Sequence, residues 1–233
     1  MNACARLLAL LLLVPPAAAI AADARPRGPV LAPVAPSLEG ATPGACRLDA
    51  FVRDTDPAGL NVRSEPSTRG RILGTLPPVV ASTVLEGYPV RTEVTITGHS
   101  SGWFRIEDAR DNPELTGLPA RPAFVGSGWV SGRQLTVKSQ AGHGYLQPDA
   151  TSQAVLRLGD DGSFDGDAMV AAGALIACRG EWALVEFADA ALPADFRPLV
   201  VTAPEARAGL PAGRFRAWLN RLCGIQETRC DGD

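Results

Sequence analysis

Few side chains in this chain are suited to chemistry. There are two histidines (His99 and His143), five cysteines, and an acidic run, "GDDGSFDGD", that carries Asp160, Asp161, Asp165 and Asp167. A Ser-His-Asp mechanism needs an imidazole held by a buried acid beside a nucleophile. Both histidines stand in Gly/Ser contexts, "TGHSSG" and "AGHGY", which read as exposed turns and specify neither partner. The acidic run lacks the spacing and the closing Glu of an EF-hand loop, so a solvated Asp/Gly turn is expected, with a Ca²⁺ loop as the alternative. No Gly-rich phosphate loop follows a strand and opens a helix. The chain is therefore read as non-catalytic, with no catalytic residue, cofactor or metal expected.

The cysteines and the N-terminus bear on the compartment. Arg6, the apolar run "LLALLLLV" from Leu7 to Val14, and the small-residue sites ending at Ala21 and Ala24 read as a signal peptide over residues 1–24. The run is too short to span a bilayer and is broken at Pro15 and Pro16. Cys4 leaves with that segment, and the four remaining cysteines favour two disulfides in an oxidising compartment. Zinc is disfavoured because there is no C-x-x-C pair and only two histidines. Four cysteines allow three connectivities. The closeness of Cys223 to Cys230 favours a local loop, which leaves Cys46 to meet Cys178. An exported protein, periplasmic or extracellular and not membrane-spanning, is expected. Removing residues 1–24 leaves 21 basic and 24 acidic residues, too balanced a charge to suggest nucleic acid as a partner.

The elements that would position any site read as short strands. Residues 25–45 are rich in Pro, Ala and Gly without periodicity and read as a linker. From Cys46 onward, "RLDAFV", "LNVRS", "RILGTL", "EVTITG", "WFRIE" and "GWVSG" are separated by Gly, Pro, Asp and Ser clusters. Several alternate with period two, the pattern of half-buried strands in a small sandwich or barrel. The second half repeats this order more faintly. "HGYLQPDA" lies over "GLNVRSEPS", "ALIACRGEWALVEF" over "VTITGHSSGWFRIE", and "RAWLNRL" over "SGWVSGRQL". Trp103 thus answers Trp182, and Trp129 answers Trp218, which an internal duplication explains most economically.

Three ordered stretches, "GLNVRSEPSTRGRILGTL", "VTITGHSSGWFRIE" and "GWVSGRQL", resemble the bacterial SH3-like domain known as SH3b, over Cys46 to about Lys138. For residues 139–233 the resemblance passes through the internal repeat. It implies an all-β fold of two tandem small SH3-like β-barrels, residues 46–138 and 139–233. Two stretches are longer than the family pattern, Pro77 to Thr92 and Ala109 to Ser127; long insertions of this kind often carry binding, and passive decoration is the equal alternative. The resemblance also implies a non-catalytic binding module of the cell envelope that recognises a peptidoglycan peptide or an envelope protein. A cell-wall hydrolase with an unrecognised site and a structural or assembly subunit are the alternatives.

Alternation places Phe104 and Ile106 toward a core and Trp103 and Arg105 on the opposite face. Trp103, Arg105, Arg110 and Arg121 are accordingly the candidate ligand residues. An aromatic plate bordered by guanidinium groups suits a peptide bearing carboxylates. A purely structural role for Trp103 in the core is the competing expectation.

Overall fold

The computed structural model describes residues 46–159 and 162–226, all within one compact unit, Pro33–Asp233. The expected signal segment 1–24 and linker 25–45, together with Asp160, Asp161 and Cys230, lie outside the described residues. The described chain is mostly β. In the first half the strands are β1 (Leu48–Val52), β2 (Leu60–Arg63), β3 (Ile72–Leu76), β4 (Val80–Ala81), β5 (Pro89–Val90) and β6 (Glu93–Ser100). They are followed by β7 (Trp103–Arg110), a single turn of helix α1 (Pro113–Thr116), β8 (Gly128–Ser131) and β9 (Leu135–Thr136). The second half has β10 (His143–Tyr145), β11 (Ala154–Leu158), α2 (Asp167–Ala172), β12 (Gly173–Arg179) and β13 (Trp182–Ala188). It ends with β14 (Val200–Thr202), α3 (Pro204–Arg207) and β15 (Arg214–Leu219).

Seven strands form one antiparallel sheet in the order β3-β2-β8-β7-β6-β1-β9, and six form another in the order β12-β13-β15-β10-β11-β14. A small β4-β5 ladder stands apart. Neither large sheet closes into a barrel, so the closed barrels expected from the sequence are not formed: each ladder has two terminal strands. The first sheet is nonetheless strongly curled. Only the 3₁₀ turn Gly132–Gln134 separates β8 from β9, which stand four places apart in the order. Four flat strand spacings would be about 19 Å, whereas the chain from Ser131 to Leu135 reaches at most about 14 Å. The sheet must bend back to let this connection span it.

The two halves share a wiring diagram. Each has a first hairpin (β2-β3, β10-β11), a second hairpin (β6-β7, β12-β13), and a last strand inserted between them (β8, β15). The registers coincide as well. Trp129 on β8 faces Arg105 and Arg63, while Trp218 on β15 faces Leu184 and Tyr145, two residues beyond Trp103 and Trp182 respectively on the hairpin side. Each second hairpin shifts register at the same point, between Ile96 and Gly98 and between Leu175 and Ala177. Each first hairpin does so as well, before Arg63 and before Tyr145. Bulges at matching positions add the same local twist to both halves.

The main hydrophobic core runs through both halves, from Leu48, Phe104 and Ile106 to Leu175, Val185 and Phe215. Phe104 and Ile106 are fully buried, as period-two alternation requires, while Trp103 is half-buried. Cys46 and Cys178 form a disulfide, 132 residues apart in sequence, that ties the halves together. Cys223 is also disulfide-bonded; the expected Cys223–Cys230 pairing rests on Cys230, outside the described residues. Converting Cys46 and Cys178 to Ser is expected to cost about 2–4 kcal/mol, because the bridge restricts a long loop of the unfolded chain. Urea titration checks this, and an unchanged midpoint would show that the bridge contributes no stability.

Candidate functional site

Trp103 opens β7 directly after a two-residue turn. Ser101 (φ 49°) and Gly102 (φ 79°) are both left-handed, the requirement of a type I′ hairpin turn. Because the turn needs only these two residues, β6 continues through Ser100 and takes His99 into the sheet. The exposed, turn-borne His99 expected from "TGHSSG" is corrected accordingly. His99 is 6% exposed, and its ring lies 5.7 Å from that of Phe104, its cross-strand neighbour. Burial pushes the imidazole below its ordinary pKa, and Nδ1 has no hydrogen-bond partner among the described residues. His143 is likewise in a strand, β10, but exposed.

A cleft of about 850 Å³ lies at the junction of the two halves and takes in Trp103 and His99. From the first half it is also lined by Arg53 and Arg133, and from the second by Ile176, Glu186, Arg214 and Arg216. Each charged residue is placed by its backbone. Arg53 follows β1 directly, its N–H donating to the Gln134 carbonyl at 2.9 Å and its Nη2 to the Ala171 carbonyl at 3.1 Å. Arg133 sits in the 3₁₀ turn between β8 and β9. That turn is held by the Gly132 N–H donating to the Gly102 carbonyl at 2.9 Å. A Cβ at Gly132 would collide with the Leu175 carbonyl and the Phe104 ring, so only glycine lets the turn seat against β12. Arg214 and Arg216 alternate along β15 with the buried Phe215, Ala217 and Leu219, which puts both guanidinium groups on the face away from the main core.

Among the described residues Glu186 is the one carboxylate lining the cleft. It stands directly across the ladder from Arg216 and accepts from Nη2 at 2.6 Å, with Arg214 Nη1 more distant at 3.8 Å. Arg53 has its guanidinium pKa lowered, first by burial and then by the charge of Arg214. Arg133 has no ion-pair partner among the described residues. The arrangement can receive an anionic group on guanidinium forks while the indole of Trp103 and the side chain of Ile176 offer apolar contact.

The four residues singled out from sequence are not brought together. Trp103 lines the cleft, but the insertion Ala109–Ser127 does not. Arg105 points away from the core and donates from Nη2 to Ser127 Oγ at 3.1 Å. Arg110 is paired with Glu93 at 3.9 Å. Arg121 is held in a structural clamp: its guanidinium and backbone N–H converge on the Asp111 carboxylate, and Nη1 donates to the Pro78 carbonyl at 2.7 Å. It borders a different, shallower pocket with Pro57, Gly59 and Pro77. The insertions brace one another instead: Ser82 Oγ donates to the Leu115 carbonyl and Thr83 Oγ1 to that of Thr116. Of the cleft residues missed, Arg214 and Arg216 were signalled by the alternation of "RFRAWL". Arg53 and Arg133 carry no local signal.

Among the described residues no group of three or more His, Cys, Asp and Glu side chains could hold a metal. Asp165 accepts a hydrogen bond from Ser163 and Asp167 stands in the first turn of α2, while Asp160 and Asp161 lie outside the described residues. No helix among the described residues is long and apolar enough to cross a membrane. Fold and site together define a mostly β protein of two like-wired antiparallel halves with a cationic cleft between them. No family model matches the chain, and neither a curated protein nor a solved structure shows significant similarity to it.

Proposed function

We propose that this protein is an exported, non-catalytic binding module of the cell envelope, built from two SH3-like halves and taking a peptidoglycan peptide or an envelope protein in the cleft between them. The observation that carries this reading is the cleft itself, with half-buried Trp103 set among arginines contributed by both halves. A large aromatic ring beside guanidinium groups is the composition that concentrates binding energy in recognition surfaces. The SH3-like part rests on where the motifs fall. "LNVR" is β2, "ILGTL" is β3, "VTITG" lies in β6, "WFRIE" in β7 and "GWVS" is β8, so the resembling stretches build one contiguous sheet. The matching registers of the second half support a duplicated unit. Binding is favoured over hydrolysis by the environment of His99, a buried imidazole with no hydrogen bond to a carboxylate or hydroxyl among the described residues.

The test is co-sedimentation of the mature protein with purified cell walls, for wild type and Trp103→Ala. Trp103 is only half-buried and lies outside the core, so the variant is expected to keep its fold, losing about 1 kcal/mol or less. Its wall binding should fall about tenfold or more. A folded variant with undiminished binding would remove Trp103 from the site, and a cleared zone in a cell-wall zymogram would replace the binding reading with the hydrolase.

A further inference from the structure

The chain carries a formal net charge of −3, yet this cleft gathers, among the described residues, four arginines against one carboxylate. Glu186 is engaged by Arg216 at 2.6 Å and by Arg214 only at 3.8 Å, which leaves Arg53 and Arg133 without an ion-pair partner among the described residues and Arg214 only weakly compensated. His99 adds no charge at neutral pH, since its burial disfavours the imidazolium. Arg53, unpaired, and Arg214, weakly paired, come from opposite halves. Arg53 follows β1 and Arg214 opens β15, both line the cleft, and Arg214 lies near enough for its charge to act on the Arg53 guanidinium. Like charges facing each other across a junction repel, and partial burial strengthens the repulsion. A fold that keeps them there gains most when an anion sits between them. Guanidinium forks match planar or tetrahedral oxyanions by paired hydrogen bonds.

We infer that the cleft is an oxyanion site in which one carboxylate or phosphate group bridges Arg53 of the first half and Arg214 of the second, with Arg133 at its rim and Trp103 against the apolar stem of the ligand. This rests on the cleft being the binding site of the proposed function and names the chemical group recognised there. Ligand binding then also joins the halves. It replaces a repulsion across the junction by two charge-assisted contacts, so occupancy raises the stability of the whole unit.

The experiment measures thermal stability and calorimetric binding of the full mature chain against two probes, inorganic phosphate and the dicarboxylate glutarate, at low ionic strength. Wild type is expected to show saturable binding of at least one probe, with Tm rising as the probe is added and affinity falling as NaCl is raised. The probe that binds more tightly identifies the ligand's group as phosphate or carboxylate. Arg53→Gln and Arg214→Gln should each weaken binding about tenfold or more, while Arg105→Gln, on the strand but outside the cleft, should leave it unchanged. Arg53→Lys and Arg214→Lys, read alongside circular dichroism, keep the charge and separate loss of the anion contact from loss of fold. Absence of saturable binding by both probes in wild type, or wild-type affinity in folded Arg53→Gln and Arg214→Gln, would overturn the inference. The same variants in wall co-sedimentation distinguish the two readings. Wall binding without probe binding sinks the oxyanion site alone, and probe binding without wall binding sinks the envelope reading alone.

Discussion

Trp218→Ala is expected to cost about 3–5 kcal/mol of unfolding free energy, the range for deleting a large, fully enclosed aromatic side chain. Trp218 has no exposed surface and packs with Ala177 and Leu184, flanked by Tyr145, Ile176 and Trp182. This cluster stands apart from the main core, on the opposite face of β15. The buried indole N–H has no hydrogen-bond partner among the described residues, so the contribution is expected to come from packing. The instructive comparison is Trp129→Ala. Trp129 holds the equivalent register position in the first half, but it is half-buried and faces Arg63 and Arg105 where Trp218 faces Tyr145 and Leu184. Its replacement should cost less than half as much. Equal losses in denaturant titrations of the two variants would show that the shared strand position, and not burial, sets the energetics.

Asp111→Ala should be nearly as damaging, at about 3–4 kcal/mol, because it leaves the mostly buried Arg121 charge without its partner. The Asp111 side chain is 4% exposed and accepts from the Arg121 backbone N–H at 2.8 Å, from Nε at 3.1 Å and from Nη2 at 2.5 Å. Since Arg121 also holds the Pro78 carbonyl, the loss should loosen both insertions at once. Asp111→Leu with Arg121→Met should restore much of the stability, as apolar replacements of a buried pair often do. The pair also has a pH signature. Burial alone would raise the Asp111 carboxyl, but hydrogen bonds and charge from Arg121 outweigh it and hold the carboxyl below its ordinary value. The unfolded chain therefore takes up this proton first as pH falls. The pair's stabilisation is complete above the ordinary carboxylate range and disappears as pH drops through the folded value. Asp111→Asn should flatten that part of the acid limb, and an acid limb identical to wild type would remove Asp111 from it.

What the sequence could determine was whatever neighbouring residues encode by themselves. Alternation set Phe104 and Ile106 in the core and left Trp103 outside it, because successive strand residues must point to opposite faces. The two Trp pairs placed the halves in the correspondence that the registers and bulges then display, since a repeated strand-turn-strand pattern pairs in a repeated way. The nearness of Cys223 to Cys230 only made Cys46–Cys178 the preferred pairing; that bridge is present, while Cys230 lies outside the described residues. The limits of the local code show at His99, where "GHSSG" reads as a turn although Ser101 and Gly102 alone complete it. Tertiary structure decided the rest. Whether the sheets close depended on how far the strands curl around a core shared by both halves, a property of packing and not of any one strand. Arg121 turned inward because Asp111 and the Pro78 carbonyl meet there, and only the folding of two separate insertions against each other brings them together. The cleft draws on Arg53 and Arg216 from opposite ends of the described chain, and no local pattern reports which outward-facing arginines will confront one another once the halves are packed.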